Sequence, residues 1–460
     1  MEIEEVKPVP AGNEKIGILE RVAYGLGDFG CNLIYTAMTT YLLFYYTDYA
    51  GVSAAAVGGI MLISRLLDGL TDIAMGMVVD RTKTRFGKAR PWILRMALPF
   101  AVSGILLFSV PVGLGATAKL VYVFLTYNLV SSVIYTAINV PYSSLNALMT
   151  QDPYERSVLS IYRNLLATAG TLVVNSFTLS LVAYFGDNAR AWTWTFTLFG
   201  IIALAAFILN FIGTKERVVA VSEKSENISL KTGLKALFRN KYWVMVTVSL
   251  LLVFINMSLT YGSTVYFAKN ILGNDQLAQG INSVMNIAQI ASMFLIAPAI
   301  KRLGKRNSMV IGSMIQSLGL ILLVILGGQT VGIYLSSIVR GIGSAFGGAV
   351  MWAMVSDTVD YGEWKTGLRM EGLTNSACSF GYKVGNGLGS ALLGLILSIG
   401  GYAGSAAVQT QTALTSIHLV FWVLPLVLNL VVIAVLHFYK LDREFDGIIA
   451  DLQARRQSED

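Results

Sequence analysis

The chain has 460 residues, of which 55% are hydrophobic and 13% charged, about half the charged share of a soluble protein. With a mean hydropathy of +0.63 it reads as an integral membrane protein. Its 34 Lys and Arg against 27 Asp and Glu give +7, which fits nucleic acid, an acidic surface or membrane topology, so the placement of the charges has to decide. Two cysteines, Cys31 and Cys378, and two histidines, His418 and His437, exclude a disulfide framework and a zinc or haem constellation.

The first 21 residues are charged and lack the short apolar core and cleavage site of a signal peptide, so the first membrane helix is expected to stay in the chain. Windows of about 20 apolar residues, enough to cross roughly 30 Å of hydrocarbon, then recur twelve times. They fall at 22–46, 57–79, 91–112, 120–146, 158–185, 194–213, 243–267, 278–300, 308–327, 330–355, 373–399 and 414–438. Alternate loops and the two termini hold 26 of the 34 Lys and Arg, whereas the opposite loops hold three, Lys119, Arg190 and Lys269. That asymmetry marks the richer side as cytoplasmic and predicts both termini there. One separator, 214–242, is long, polar and basic and predicts two six-helix bundles, 22–213 and 243–439, followed by a cytoplasmic tail at 440–460. RTKTRFGKAR (81–90) after the second window and KRLGKRN (301–307) after the eighth echo one another, as parallel-repeat transporters do. Asn227-Ile228-Ser229 has the glycosylation pattern but lies in this cytoplasmic loop and is discounted.

Ionisable groups at membrane depth cost about 2.5 to 3.5 kcal/mol each and are the first functional candidates. In the first window Asp28 and Asn32 share a helix face beside Gly25, Gly27 and Gly30, which suits either close helix packing or a ligand. In the second, Arg65, Asp68 and Asp72 share a face. Two carboxylates about 6 Å apart in a low dielectric resist double ionisation, and one arginine does not neutralise both, so the pair predicts a proton or small-cation site. An internal salt bridge with Arg65 is the alternative. In the fourth, Tyr135, Asn139 and Tyr142 share a face around Pro141, and an aromatic ring with an amide suits a sugar as well as it suits packing. Arg163 in the fifth window and Lys383 in the eleventh have no acid in their own helix, so they either neutralise Asp28, Asp68 or Asp72 or meet substrate. At the cytoplasmic ends, Asp80 and Arg85 in 80–92 and Asp357, Asp360 and Glu363 in 356–372 are expected to form a gate of charge pairs between the halves.

These residues also carry a resemblance. YGLGDFGCN, YYTDYAG (45–51), SRLLDGLTDIAMGMVVDRTKTRFGKARPWIL (64–94), YTAINVPYSSL (135–145) and SDTVDYGEWKTGLRMEGL (356–373), in this order, resemble the glycoside-pentoside-hexuronide:cation symporters of the major facilitator superfamily over nearly the whole chain. The resemblance implies the all-α, twelve-helix major facilitator fold. It also implies a coupling-cation site at Asp68 and Asp72 with help from Thr136, and retained basic residues at Lys383 and Arg163. Where the family's type member, the melibiose permease, has two sugar-binding carboxylates, this chain has Asn32 and Asn139, and Cys31 replaces a lysine. Those asparagines and the run VMWAM (350–354) make the chain look closer to the family's glucuronide carriers.

The predicted function is therefore symport of a glycoside, with a hexuronide placed ahead of a neutral glucoside or pentoside. The coupling ion is expected to be H+ rather than Na+, because fewer anionic oxygens remain for a sodium shell. No cofactor is expected, and no metal unless Na+ binds at Asp68 and Asp72. The partners expected are sugar, cation and lipid, with no nucleic acid; the chain is expected to be a monomer in a bacterial cytoplasmic (inner) membrane. A nucleotide-driven pump is disfavoured by the absence of G-x-x-x-x-G-K-[ST], and an intramembrane enzyme by the absence of a nucleophile with its base. A passive pore for neutral solutes has no use for a buried aspartate pair.

Overall fold

The computed structural model describes residues 16–82, 84–111, 113–218, 230–326, 329–367, 370–406 and 408–459. Each of the twelve apolar windows falls on helix for all or most of its length. Among the described residues there is no strand, and nine helices are long and apolar enough to cross a membrane. The windows at 278–300 and 308–327 form one run, Leu277–Leu326, broken at Gly304, whose φ of 80° and ψ of 168° are not helical. Several helix starts carry side-chain caps for their orphan N–H groups. Asp152 accepts from the Tyr154 N–H ahead of Pro153, Asn188 from those of Arg190 and Ala191, and Asn240 from that of Trp243.

The chain forms two compact units, Met1–Met38 with Leu67–Ser225, and Thr39–Leu66 with Glu226–Asp460. In the first, Phe108, Trp192 and Phe196 stack in one column, and the buried Asn210 amide donates to the carbonyls of Ala23 and Tyr24. Glu216 closes the basic turn before Arg90–Leu107: it accepts from the N–H groups of Lys88, Ala89 and Arg90 at 2.8 to 2.9 Å. Arg90 in turn donates to the Phe211 carbonyl at 2.6 Å. A carboxylate against the positive end of a helix is favourable on both charge and hydrogen-bonding grounds. Gly87 makes it fit, with φ of +103° and room for no Cβ, which would lie 2.2 Å from Glu216 Oε2.

The second unit repeats the device. Asp442 accepts from the Arg306 N–H at 2.8 Å beside Gly304, and the Arg306 guanidinium donates to the carbonyls of Leu436 and His437. Within this unit the separator at 214–242 contributes a short helix, Leu230–Arg239, whose Leu237 is buried in the core. The tail forms the helix Leu441–Glu459, which buries Ile448 and Leu452 and whose Arg455 donates to the Trp364 carbonyl. Residues 39–66 belong here although they precede the separator, because glycines admit them closely. A Cβ on Gly394 would lie 2.2 Å from the Ala54 carbonyl oxygen, and one on Gly404 2.5 Å from that of Thr47. Asp48 accepts from Lys269 at 2.5 Å and from the Tyr402 hydroxyl at 2.9 Å in the same region.

Candidate functional site

The second and fourth windows run the same way through the first unit, and two hydroxyl–carboxylate rungs join them. Thr136 donates to Asp72 at 2.9 Å, and Ser132 donates to Asp68. The rungs share one 64-residue separation, so an i, i+4 pair of hydroxyls faces an i, i+4 pair of carboxylates. Asp68, Ser132 and Thr136 are buried, and Thr71 ties its own hydroxyl back to the Asp68 carbonyl at 3.0 Å. Four carboxylate oxygens and two hydroxyl oxygens on two neighbouring helices, with Asp72 half-buried, are a donor set for a hard monovalent cation or a proton. Arg65, on the part of the same helix that belongs to the second unit, is buried and packs its stem against Gly387 of that unit.

Ser132 was not marked from the sequence. Its signal is its i, i+4 spacing to Thr136, obscured because the fourth window is not a plain α-helix: Ala116–Asn128 and Tyr135–Met149 are joined by a π-helical turn, Leu129–Ile134.

The first and fifth windows build the other half of the first unit's polar interior. Arg163 Nε donates to Asp28 Oδ2 at 2.9 Å, so this cation has its acid partner on another helix. The Asn32 amide donates to the Asp28 carbonyl at 2.8 Å, and Thr171 bonds to Thr36 and, at 3.4 Å, to Asn32. The glycines near Asp28 explain how these helices approach: a Cβ on Gly27 would meet the Tyr142 ring at 2.4 Å, and one on Gly170 the Phe29 carbonyl oxygen at 2.8 Å. Tyr142 is fully buried, stacks on Tyr24, donates to its carbonyl at 2.8 Å and lies 5.2 Å under the Arg163 guanidinium. It supports Arg163 from below. Tyr135 stacks on Tyr35, and the buried Oδ1 of Asn139 has no hydrogen-bond partner among the described residues.

Lys383 is buried in the second unit, on the helix Glu371–Ile399. Of the residues predicted for a cytoplasmic gate, Asp357 pairs with Lys305 inside the second unit, at 2.5 and 2.7 Å. Lys305 belongs to the basic turn KRLGKRN and was not singled out for this role. Asp360 and Glu363 are partly buried on the same helix as Asp357, and Arg85 is exposed over the Phe86 ring. The Asp80 side chain lies outside the described residues.

Solved transporters share this fold. The nucleoside transporter NupG matches with a TM-score of 0.64 and 18% identity over 92% of this chain and 100% of that one. A bacterial homolog of the human lysosomal transporter Spinster matches with a TM-score of 0.67 and 13% identity over 95% and 99%. By sequence, the chain is 39% identical to the isoprimeverose transporter of Lactiplantibacillus pentosus over 96% of this chain and 92% of that protein. It is 32% identical to the glucuronide carrier protein homolog of Escherichia coli (strain K12) over 97% of each. The model of the MFS/sugar transport protein family matches residues 23–443, so the chain belongs to that family of sugar/cation symporters, which are membrane transporters and not enzymes.

Proposed function

We propose that this protein is a secondary active transporter that carries a glycoside through the membrane together with a small cation bound at Asp68 and Asp72. The observation that carries the reading is the pair of rungs, because a buried Asp68 and a half-buried Asp72, held at a fixed spacing by hydroxyls, are costly unless a cation shares them. The sugar site of this reading is built from Asp28, Asn32, Tyr135, Asn139 and Arg163 of the first unit. A proton is the coupling ion of this reading, since a close carboxylate pair shares one without a complete oxygen shell. Asp357 paired with Lys305 is the charge pair of this reading at the cytoplasmic end of the second unit. The charge asymmetry of the loops puts both termini on the cytoplasmic side of a bacterial inner membrane.

The geometry moves the substrate toward an uncharged glycoside. The expectation of a hexuronide rests on Arg163 and Lys383 as cations seeking a carboxylate, and Arg163 is engaged by Asp28. The unpartnered Asn139 carbonyl accepts from a sugar hydroxyl, and isoprimeverose, named for a 39% identical relative, is a neutral disaccharide. The hexuronide remains the second reading, supported by the buried Lys383 and the likeness to a glucuronide carrier homolog.

Uptake in membrane vesicles tests both. Asp68→Asn and Asp72→Asn are expected to abolish uphill accumulation while sugar exchange survives, and variants that concentrate sugar as well as the parent protein overturn the cation site. Competition of labelled sugar by neutral glycosides and by their uronic acids ranks the substrates. Displacement by the uronic acids alone reverses the order given above.

A further inference from the structure

We propose that Ser132 is the fourth member of the cation site, holding the Asp68 carboxylate as Thr136 holds that of Asp72, and that the π-helical turn Leu129–Ile134 exists to set it there. The proposal rests on the cation-site reading and adds to it a residue outside Asp68, Asp72 and Thr136.

The argument begins with helix geometry. Along an α-helix each residue turns about 100°, so side chains four apart miss alignment by about 40°. A π-helical turn closes its hydrogen bonds at i+5 and turns less per residue. Ser132 lies inside such a turn and Thr136 just beyond it, so the overshoot between the two hydroxyls shrinks. Both then reach carboxylates on one neighbouring helix, and Ser132 and Thr136 are 4% and 3% exposed. Isolated π turns inside α-helices are uncommon and concentrate at functional sites. Here the turn has a specific product, a second hydroxyl in register with a second carboxylate.

The chemistry follows from the donor set. Thr136 reaches only Asp72, and Ser132 gives Asp68 the same kind of hydroxyl from the same neighbouring helix. With Ser132 both are held from one helix, and each hydroxyl oxygen that donates to a carboxylate still has acceptor capacity of its own. Preorganised oxygens spare the site the cost of ordering its ligands when the cation arrives. Ser132 is thus a positioning residue for Asp68 and an oxygen available to a metal cation. Its loss is expected to weaken binding of a metal cation, to tighten binding of a proton, and to leave sugar binding at saturating cation almost untouched.

The experiment uses the full-length protein in proteoliposomes, measuring sugar counterflow while H+, Na+ and Li+ are each varied. Ser132→Ala is expected to raise the half-saturating concentration of Na+ or Li+ by about fivefold to tenfold, which is about 1 to 1.4 kcal/mol, and to lower that of H+, because the lost hydroxyl favoured the ionised Asp68. The sugar KM at saturating cation stays within twofold, and Ser132→Thr restores the parent cation dependence within twofold. A structural loss without a role at the cation would depress all of these together and would not be rescued. The proposal is overturned if Ser132→Ala keeps the parent cation dependence while Asp68→Asn loses it. If Asp68→Asn itself leaves cation dependence intact, the cation-site reading falls, and this inference with it.

Discussion

Asp28 and Arg163 are an unequal loss when removed singly and together. Their 2.9 Å pair joins two helices in a region of low dielectric, with the Arg163 side chain 29% and the Asp28 side chain 12% exposed. Removing one partner strands the other's charge, whereas removing both strands none. Asp28→Asn alone is expected to destabilise by about 1 to 3 kcal/mol, less than for a fully buried pair because water still reaches the guanidinium. Asp28→Asn with Arg163→Gln should regain most of that stability but not transport, as read by thermal denaturation in detergent beside vesicle uptake. A double variant no more stable than the single one would mean that the pair is not the principal partner of either group. The sequence made such a pairing an open alternative, because Arg163 has no acid within its own helix. It did not show that Asp28, rather than Asp68 or Asp72, would be the partner, since helical periodicity orders residues along one helix and is silent on which helices meet.

Single elements carry local conformations that substitution exposes. Gly87 has φ of +103°, and its missing Cβ leaves the space that the Glu216 carboxylate fills. Gly87→Ala meets a disfavoured backbone, worth about 1 to 2 kcal/mol, and a steric conflict besides. It should lower the melting temperature of the purified protein by more than Glu216→Gln, which keeps the shape and loses only charge; the reverse order would place the clamp's energy in electrostatics. The positions of the helices were legible because twenty-residue apolar runs have few alternatives in a membrane. The π turn was not. LVSSVI (129–134) is apolar and small like its neighbours, and nothing in its composition separates i+5 from i+4 hydrogen bonding. That is why Thr136 entered through the family resemblance while Ser132, one turn away, went unmarked.

At the scale of the molecule, topology was written in charge. The 26 basic residues on one side against three on the other predict an orientation, and the expected outcome is simple to measure. A cysteine placed at Asn307 should react with a membrane-impermeant maleimide only in inside-out vesicles, and one at Asn274 only from the outside, over a background of the buried Cys31 and Cys378. Labelling of both from one side would discard the twelve-span topology. Less legible was how the chain divides by packing. A polar separator marks where a chain is free to part, but the grouping of residues 39–66 with 226–460 depends on backbone contacts at Ala54 and Thr47 that only glycine permits. In a sequence with 44 glycines, those at 394 and 404 carry no mark of their own.

The clamps at Glu216 and Asp442 give the chain a property that neither shows alone. Each unit fastens its basic turn with an acid drawn from its own final stretch, so the joint has been made twice from local materials, with glutamate in one copy and aspartate in the other. The two joints do the same mechanical job, each within its own unit. A fault at Gly87 therefore has a sibling at Gly304, and what substitution does to the first forecasts what it will do to the second.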